Sequence, residues 1–450
     1  MAQKAKKLFQ PDLTNDNILK SICSFAAPLL VSYIFLQFYN TVDVVVVGHF
    51  LGEESLAAIA ACTALNDLLL GFGNGFGNGL GIIAARAYGA KQEGVLKKVV
   101  VGSTIITIFV TLFIMLLGIF FLRPVMTLLG TPAEILDEAC SYIWVIAIFS
   151  GVLFAYNLLS GLLRAIGNSL MPLVFLILSS VLNIFLDILL ITVFHLGVQG
   201  TAIATIIAQG ISALLCLIYI LKKCKILIPN RQSFKVDPPI FRDLLGQGLS
   251  MALMSSLVNS GTVILQSAIN SFGTLIMAGH ISARKVFIFI NIPLYTLSMA
   301  STTFVSQNYG AGKIDRIKKG VKILYLLSIL WGILCTLVIP FIAKYLITAI
   351  SGSSTPEIVN YGAKYLSIAM PFFPVLGVLL ITRNSLQGLG SKVLPLISSI
   401  IELMGKVLFT ALIIPHLGTW GIILCEPLIW VVMMIQLLWV FVRHPIFKKN

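Results

Sequence analysis

Apolar residues run along this chain in long stretches separated by short polar connections, without sustained alternation of apolar and polar positions. Twelve stretches stand out, at about 18–47, 54–86, 95–123, 136–163, 168–193, 197–222, 241–271, 275–307, 318–348, 357–387, 392–415 and 419–442. Each is long enough for an α-helix to cross a bilayer's hydrocarbon core. A transmembrane β-barrel would need short alternating segments instead. The chain also repeats itself. RAYGAKQEGVLKKVV, from Arg86 to Val100, returns 221 residues later as QNYGAGKIDRIKKGV, from Gln307 to Val321. With slight drift, the same displacement pairs TPAEI at Thr131 with TPEI at Thr355, RAIGNSLMP at Arg164 with QGLGSKVLP at Gln387, and HLGVQG at His195 with HLGTWG at His416. A parallel repeat of this length predicts an all-α polytopic membrane protein, with twelve transmembrane helices in two pseudo-symmetric six-helix lobes. The longest polar connection carries Pro229, Pro238 and Pro239 and reads as a linker. The expected division is an N-terminal lobe over 1–228, a cytoplasmic linker over 229–240 and a C-terminal lobe over 241–450.

Composition excludes most other classes. With 58% hydrophobic residues, 11% charged residues and a mean hydropathy of +1.00, the chain is too apolar for a soluble globular domain. The net charge of +14 suggests nucleic acid until the basic residues are placed on the loops. Lys4, Lys6, Lys7, Lys20, Arg86, Lys91, Lys97, Lys98, Lys222, Lys223, Arg231, Lys313, Arg316, Lys318, Lys319, Arg443, Lys448 and Lys449 all fall on one side of the alternating topology. The other side keeps Arg123, Lys344 and Lys364. The positive-inside rule then puts both termini in the cytoplasm, and a multi-pass protein of the plasma (bacterial inner) membrane is the expectation. The basic excess sets orientation and contacts anionic lipid, so no nucleic-acid partner is expected. The seven cysteines lie mostly in apolar spans without a CxxC and read as packing thiols.

Charged side chains in hydrocarbon are costly and usually have a partner or a function. Five acids lie inside the spans: Asp43, Asp67, Asp187, Glu402 and Glu426. In the second half Arg284, Lys285 and Lys406 are candidate counter-ions, with Glu402 and Lys406 spaced i,i+4 on one helical face. First-half spans have no basic residue away from their ends, so their acids need a mobile cation, a proton or a hydrogen-bond donor. Topology lets them meet. Asp43 precedes the outer end of the first span, Asn183 and Asp187 share a face of the fifth, Thr205 lies about 12 Å into the sixth, and the fourth brings in Tyr142. Two carboxylates, an amide carbonyl and hydroxyls form an oxygen cluster that suits Na⁺, or a shared proton in its place. The plainer alternative for Asn183 and Thr205 is ordinary interhelical hydrogen bonding.

PLLVSYIFLQFYNTVDVVVVG (Pro28 to Gly48), LGEESLAAIA (Leu51 to Ala60), AYGAKQ (Ala87 to Gln92), SQNYGA (Ser306 to Ala311) and the ELMGK and CEPLIW elements around Glu402 and Glu426 resemble the multidrug and toxic compound extrusion (MATE) family over nearly the whole chain. The resemblance implies alternating access and export of organic, often cationic, compounds driven by inward H⁺ or Na⁺ movement. It assigns Asp43, Asn183, Asp187 and Thr205 to a cation site, the one place a Na⁺ ion would be held, with Tyr39 and Tyr142 beside it. It also makes Pro28 a candidate hinge, against the alternative of a static kink. A branch of the family couples through the second lobe with acids where this chain has Val258 and Leu376, so coupling through the first lobe is expected.

Asp67 stands deep in the second span, and with Asn66 and Gln37 is a candidate contact for a cationic substrate; its other reading is local hydrogen bonding. GFGNGFGNGLG, from Gly71 to Gly81, lacks the strand and the Lys-Ser/Thr of a phosphate loop. Its glycines at 71, 75 and 79 and at 73, 77 and 81 form two stripes for close helix packing. The five histidines show no ligand spacing. Carried across the repeat, the first-half cluster falls on Ile264, on 404–406, on 408–410 and on Glu426, which predicts Lys406 near Glu426 with Glu402 one turn away. The expected function is a secondary transporter without resident cofactor, acting as a monomer, with small organic cations and the bilayer as partners. The alternative is a flippase for lipids or lipid-linked saccharides. No enzymatic activity is expected, because HExxH, GxSxG and acidic metal motifs are missing from consistent positions.

Overall fold

A computed structural model describes residues 11–447. Lys4, Lys6, Lys7, Lys448 and Lys449, which contribute to the basic cytoplasmic face read from the sequence, lie outside the described residues. The chain folds into helices: α1 (Ile18–Phe50), α2 (Gly52–Gly89), α3 (Glu93–Leu128), α4 (Ala133–Ile148), α5 (Ser150–Ala165), α6 (Leu170–Thr192) and α7 (Gly197–Lys223) in the first repeat. The second repeat holds α8 (Pro238–Asn270), α9 (Thr274–Gly310), α10 (Ile314–Ser351), α11 (Pro356–Ala369), α12 (Phe373–Gly388), α13 (Val393–Leu408), α14 (Ile414–Leu417) and α15 (Thr419–Val442). Among the described residues, eleven helical spans are long and apolar enough to cross a membrane, and α4 with α5 makes a twelfth when counted as one bent span.

The interruptions have local causes. The 45° bend between α4 and α5 falls where Phe149 is followed by Ser150 and Gly151, a pair that tolerates a kink. Between α11 and α12 the turn Met370–Phe372 contains Pro371, and Pro374 follows in the first turn of α12. A π turn over Phe409–Ile413 separates α13 from α14. Pro415 lacks an N–H and its ring would press on the carbonyl four residues back, so the widened turn relieves that contact.

Two compact units emerge, and each takes in part of the other's first helix. One spans Ala27–Leu253; the other gathers Leu13–Ala26 with the chain from Met254 onward. The expected 1–228 and 241–450 lobes therefore exchange ends, and the expected linker is partly helical, since α8 already begins at Pro238. Packing explains the exchange. Leu13, Ile22 and Phe25 are almost fully buried, while Asn308 Nδ2 and Arg316 Nε donate to the Leu13 carbonyl and Lys313 Nζ donates to the Thr14 carbonyl, all at 2.9–3.1 Å. In the first unit, Lys98 pairs with Asp237 at 2.8 Å and Arg86 with Asp243 at 3.3 Å, tying down the start of α8.

The first unit's core is closed by glycine. A Cβ on Gly77 would stand 2.8 Å from Asn157 Cβ, and one on Gly81 would stand 3.3 Å from the Gly161 carbonyl, so α2 and α5 approach backbone to backbone along the 73/77/81 stripe. Gly79, from the other stripe, lies equally close to Gln247 and Gly248 of α8. Around this seam Phe76, Leu80, Phe154, Leu158 and Leu162 form one buried cluster. Overpacking it should lower stability by about 1–3 kcal/mol for Gly77→Ala. Gly94, whose Cβ would meet nothing within 4 Å, provides the control. Thermal unfolding in detergent should show a clear drop for Gly77→Ala and none for Gly94→Ala; equal melting would contradict this packing account.

Candidate cation site

Three helices of the first unit bring together most of the acids and hydroxyls singled out in the sequence. Tyr39 and Asp43 are one turn apart on α1, Asn183 and Asp187 one turn apart on α6, and Thr205 is two turns into α7. A polar side chain in an apolar helix is stable only where a neighbouring helix satisfies it. Asn183 is the hub. In the orientation that satisfies its neighbours, its amide nitrogen donates to Asp43 Oδ1 at 3.0 Å and to Asp187 Oδ2 at 3.1 Å, and its oxygen accepts from the Thr205 backbone N–H at 3.2 Å. The Tyr39 hydroxyl and Thr205 Oγ1 lie 3.3 Å apart. Asn183 and Asp187 have no solvent exposure.

The donor set differs from the sequence expectation in one respect. Asn183 was expected to present its carbonyl to a cation, yet here that oxygen faces the α7 backbone and the nitrogen bridges the acids. Asn183 thus already supplies the hydrogen-bond donor that both carboxylates require. Asp187 Oδ1 remains buried without a hydrogen-bond partner among the described residues. This lone pair beside a second carboxylate and two hydroxyl oxygens suits a proton or a small hard cation. No basic side chain among the described residues forms an ion pair with either acid.

Tyr142 is buried on α4 in a cluster with Ala58, Cys62, Ile143, Val198 and Ala202, and its hydroxyl makes no hydrogen bond among the described residues. It therefore packs without bonding to the hub. Asp67 is exposed on α2, whereas Asn66 beside it and Gln37 on α1 are partly buried; Asn66 Oδ1 is buried without a hydrogen-bond partner among the described residues. Pro28 lies inside α1, two residues past the point where that helix passes from one compact unit to the other.

The family model described as MatE matches residues 28–189 and 250–412, one match in each repeat and together more than half of the chain. The chain belongs to the MatE family. Among MatE relatives, the probable multidrug resistance protein YoeA of Bacillus subtilis is 27% identical over 418 residues, covering 90% of each chain. The multidrug export protein MepA of Staphylococcus saprophyticus is 23% identical and covers 83% of this chain and 82% of its own. Among solved structures, MATE in the bent conformation superposes with a TM-score of 0.88 at 22% identity, covering 97% of this chain and 98% of that one. An outward-facing multidrug resistance MATE family transporter also reaches 0.88, at 21% identity, covering 98% and 99%. These likenesses show the fold. MatE membership together with the apolar helices makes the chain a multi-pass membrane protein.

This MatE chain carries a different polar centre in its second unit. Lys406 Nζ on α13 contacts Glu402 Oε1 at 3.1 Å, Glu426 Oε1 on α15 at 3.3 Å and Thr262 Oγ1 on α8 at 3.2 Å. Arg284 Nη1 on α9 holds the other Glu426 oxygen at 2.6 Å. The Tyr365 hydroxyl on α11 donates to that same oxygen at 3.3 Å. Lys406, Glu402 and Glu426 are each less than a tenth exposed. Two cations thus face two anions. Lys285, also a candidate counter-ion by sequence, is exposed and takes no part. The roles of Tyr365 and Thr262 escaped sequence reasoning, because a single tyrosine or threonine in an apolar span carries no distinguishing signal.

Proposed function

We propose that this protein is an exporter of small organic, cationic amphipathic compounds that works by antiport against H⁺ or Na⁺ with alternating access, and that the coupling ion binds at Asp43, Asn183, Asp187 and Thr205. The supporting observation is the buried pair of carboxylates bridged by one neutral amide, with an Asp187 oxygen that has no hydrogen-bond partner and acids that have no paired base among the described residues. A charged side chain at bilayer depth costs about 2.5–3.5 kcal/mol on insertion scales. Two ionised acids at one site therefore favour binding of a proton or metal cation, and its release restores the repulsion. Tyr39 and Thr205 supply further oxygens, and Tyr142 walls the site. The names of the relatives, multidrug resistance and multidrug export, favour this reading over lipid flipping. On the same reading the chain is a monomer in the bacterial inner membrane with both termini cytoplasmic, and Pro28 gives α1 its freedom to bend. Fluorescent cationic dye loaded against inverted vesicles tests it: an imposed proton or sodium gradient should drive dye movement well above the gradient-free rate. Equal rates with either gradient and with none would overturn the proposal.

Asp67 enters as the substrate-attracting acid, with Asn66 and Gln37 as neighbouring polar contacts. Asp67→Asn removes a Coulombic attraction of about 1–4 kcal/mol, the range for a contact at 4 Å between bulk water and a protein surface. Its affinity for cationic dyes should fall about tenfold while neutral dyes are unaffected. Identical changes for both dye classes, measured by fluorescence titration, would assign Asp67 to structure alone.

A further inference from the structure

The two polar centres occupy corresponding places in the repeat. α1, α6 and α7 of the first repeat correspond to α8, α13 and α15 of the second, their first residues lying 220–223 positions apart. Asn183 on α6 gathers partners from α1, from its own helix and from α7. Lys406 on α13 lies 223 residues further on and gathers partners from α8, from its own helix and from α15. Glu426 stands 221 residues after Thr205, so the α15 contact falls at the repeat position of the α7 contact. Each hub also joins two acidic groups. The difference is charge: a neutral amide joins the first pair, and an ammonium joins the second. The lysine stem has a place made for it, since a Cβ on Gly261 would stand 2.9 Å from Lys406 Cδ.

We propose that Lys406 is a covalently attached substitute for the coupling cation, a positioning residue that keeps the second unit's equivalent of the ion site permanently filled. The proposal rests on the reading of the first unit as the ion-coupling unit. Its consequence is asymmetric coupling. The ammonium neutralises Glu402 and half of the Glu426 contact set, while Arg284 takes the remaining Glu426 oxygen, so this centre exchanges no ion during transport. A small monovalent cation of ammonium type is the ligand class that the second site would accept once the lysine is removed.

Purified full-length protein and its Lys406→Ala variant, titrated with ethylammonium while thermal unfolding is followed, provide the test. Ethylammonium should raise the melting temperature of Lys406→Ala by several degrees more than that of the parent chain, because it replaces the lost ammonium between the same oxygens. Equal shifts in the two proteins overturn the proposal. A second variant covers failure of Lys406→Ala to fold: Lys406→Met with Glu402→Gln removes one charge of each sign and leaves Arg284 paired with Glu426. This double variant should purify as a single species and keep gradient-driven dye efflux within about threefold of the parent. Failure to fold, or loss of coupling as complete as that of Asp187→Asn, shows that the centre is not a static filled site. If instead Asp187→Asn itself retains full coupling, the first-unit reading fails, whatever the ethylammonium titration shows.

Discussion

Asp187→Asn should abolish gradient-driven dye efflux, lowering it at least tenfold in reconstituted vesicles, while the protein remains monodisperse in detergent. The substitution keeps the shape of the side chain and an oxygen that can still accept from the Asn183 amide. It removes the charge that attracts a cation in a water-poor site, where a Coulombic contact is worth several kcal/mol at a surface-like effective dielectric. Asp43→Asn should behave alike, because Asn183 donates to both acids from one nitrogen. Full coupled efflux by either variant under a limiting gradient would remove that acid from the ion path. Loss of folding in place of loss of coupling would mean that the pair is structural.

The second large effect belongs to Arg284. Its guanidinium holds Glu426 at 2.6 Å and approaches the Tyr365 hydroxyl at 3.4 Å, and it sits over the Phe287 ring, 5.1 Å from its centroid. Arg284→Ala leaves Lys406 as the remaining ion-pair partner, among the described residues, of two carboxylates. Breaking a buried pair of this kind costs about 3–5 kcal/mol. The expected result is a lower melting temperature and a sharply reduced yield of folded protein. Arg284→Lys should recover only part of the loss, since a single ammonium does not reproduce the planar fork. Unchanged melting of Arg284→Ala would contradict the charge balance described for the second unit.

Helix positions were legible in the sequence because the requirement for apolar length is so restrictive. The span expected at 419–442 is α15, Thr419–Val442, and the one expected at 54–86 lies within α2. The break inside the span expected at 136–163 was not legible, because Ser-Gly pairs occur in unbroken helices too. The exchange of helix ends between the units goes with bonds from Asn308, Lys313 and Arg316, far along the chain, to the Leu13 and Thr14 carbonyls, and no local pattern encodes it. At the candidate site, helix direction and depth were enough to bring Asp43, Asn183, Asp187 and Thr205 together. The orientation of the Asn183 amide was not readable, since it follows from which neighbours offer acceptors. In the second unit the repeat displacement placed Lys406 near Glu426. The grip of Arg284 and Tyr365 on the same carboxylate needed the positions of α9 and α11.

Ion release on substrate binding is the most direct measure of coupling. With purified protein in weakly buffered solution, proton release is followed with a pH indicator and sodium release with an ion-selective electrode while cationic dye is titrated in. The account predicts saturable release of one of these ions by the parent chain, and none by the Asp43→Asn and Asp187→Asn variants. Undiminished release from both variants, or dye binding by the parent chain without release of either ion, would contradict it.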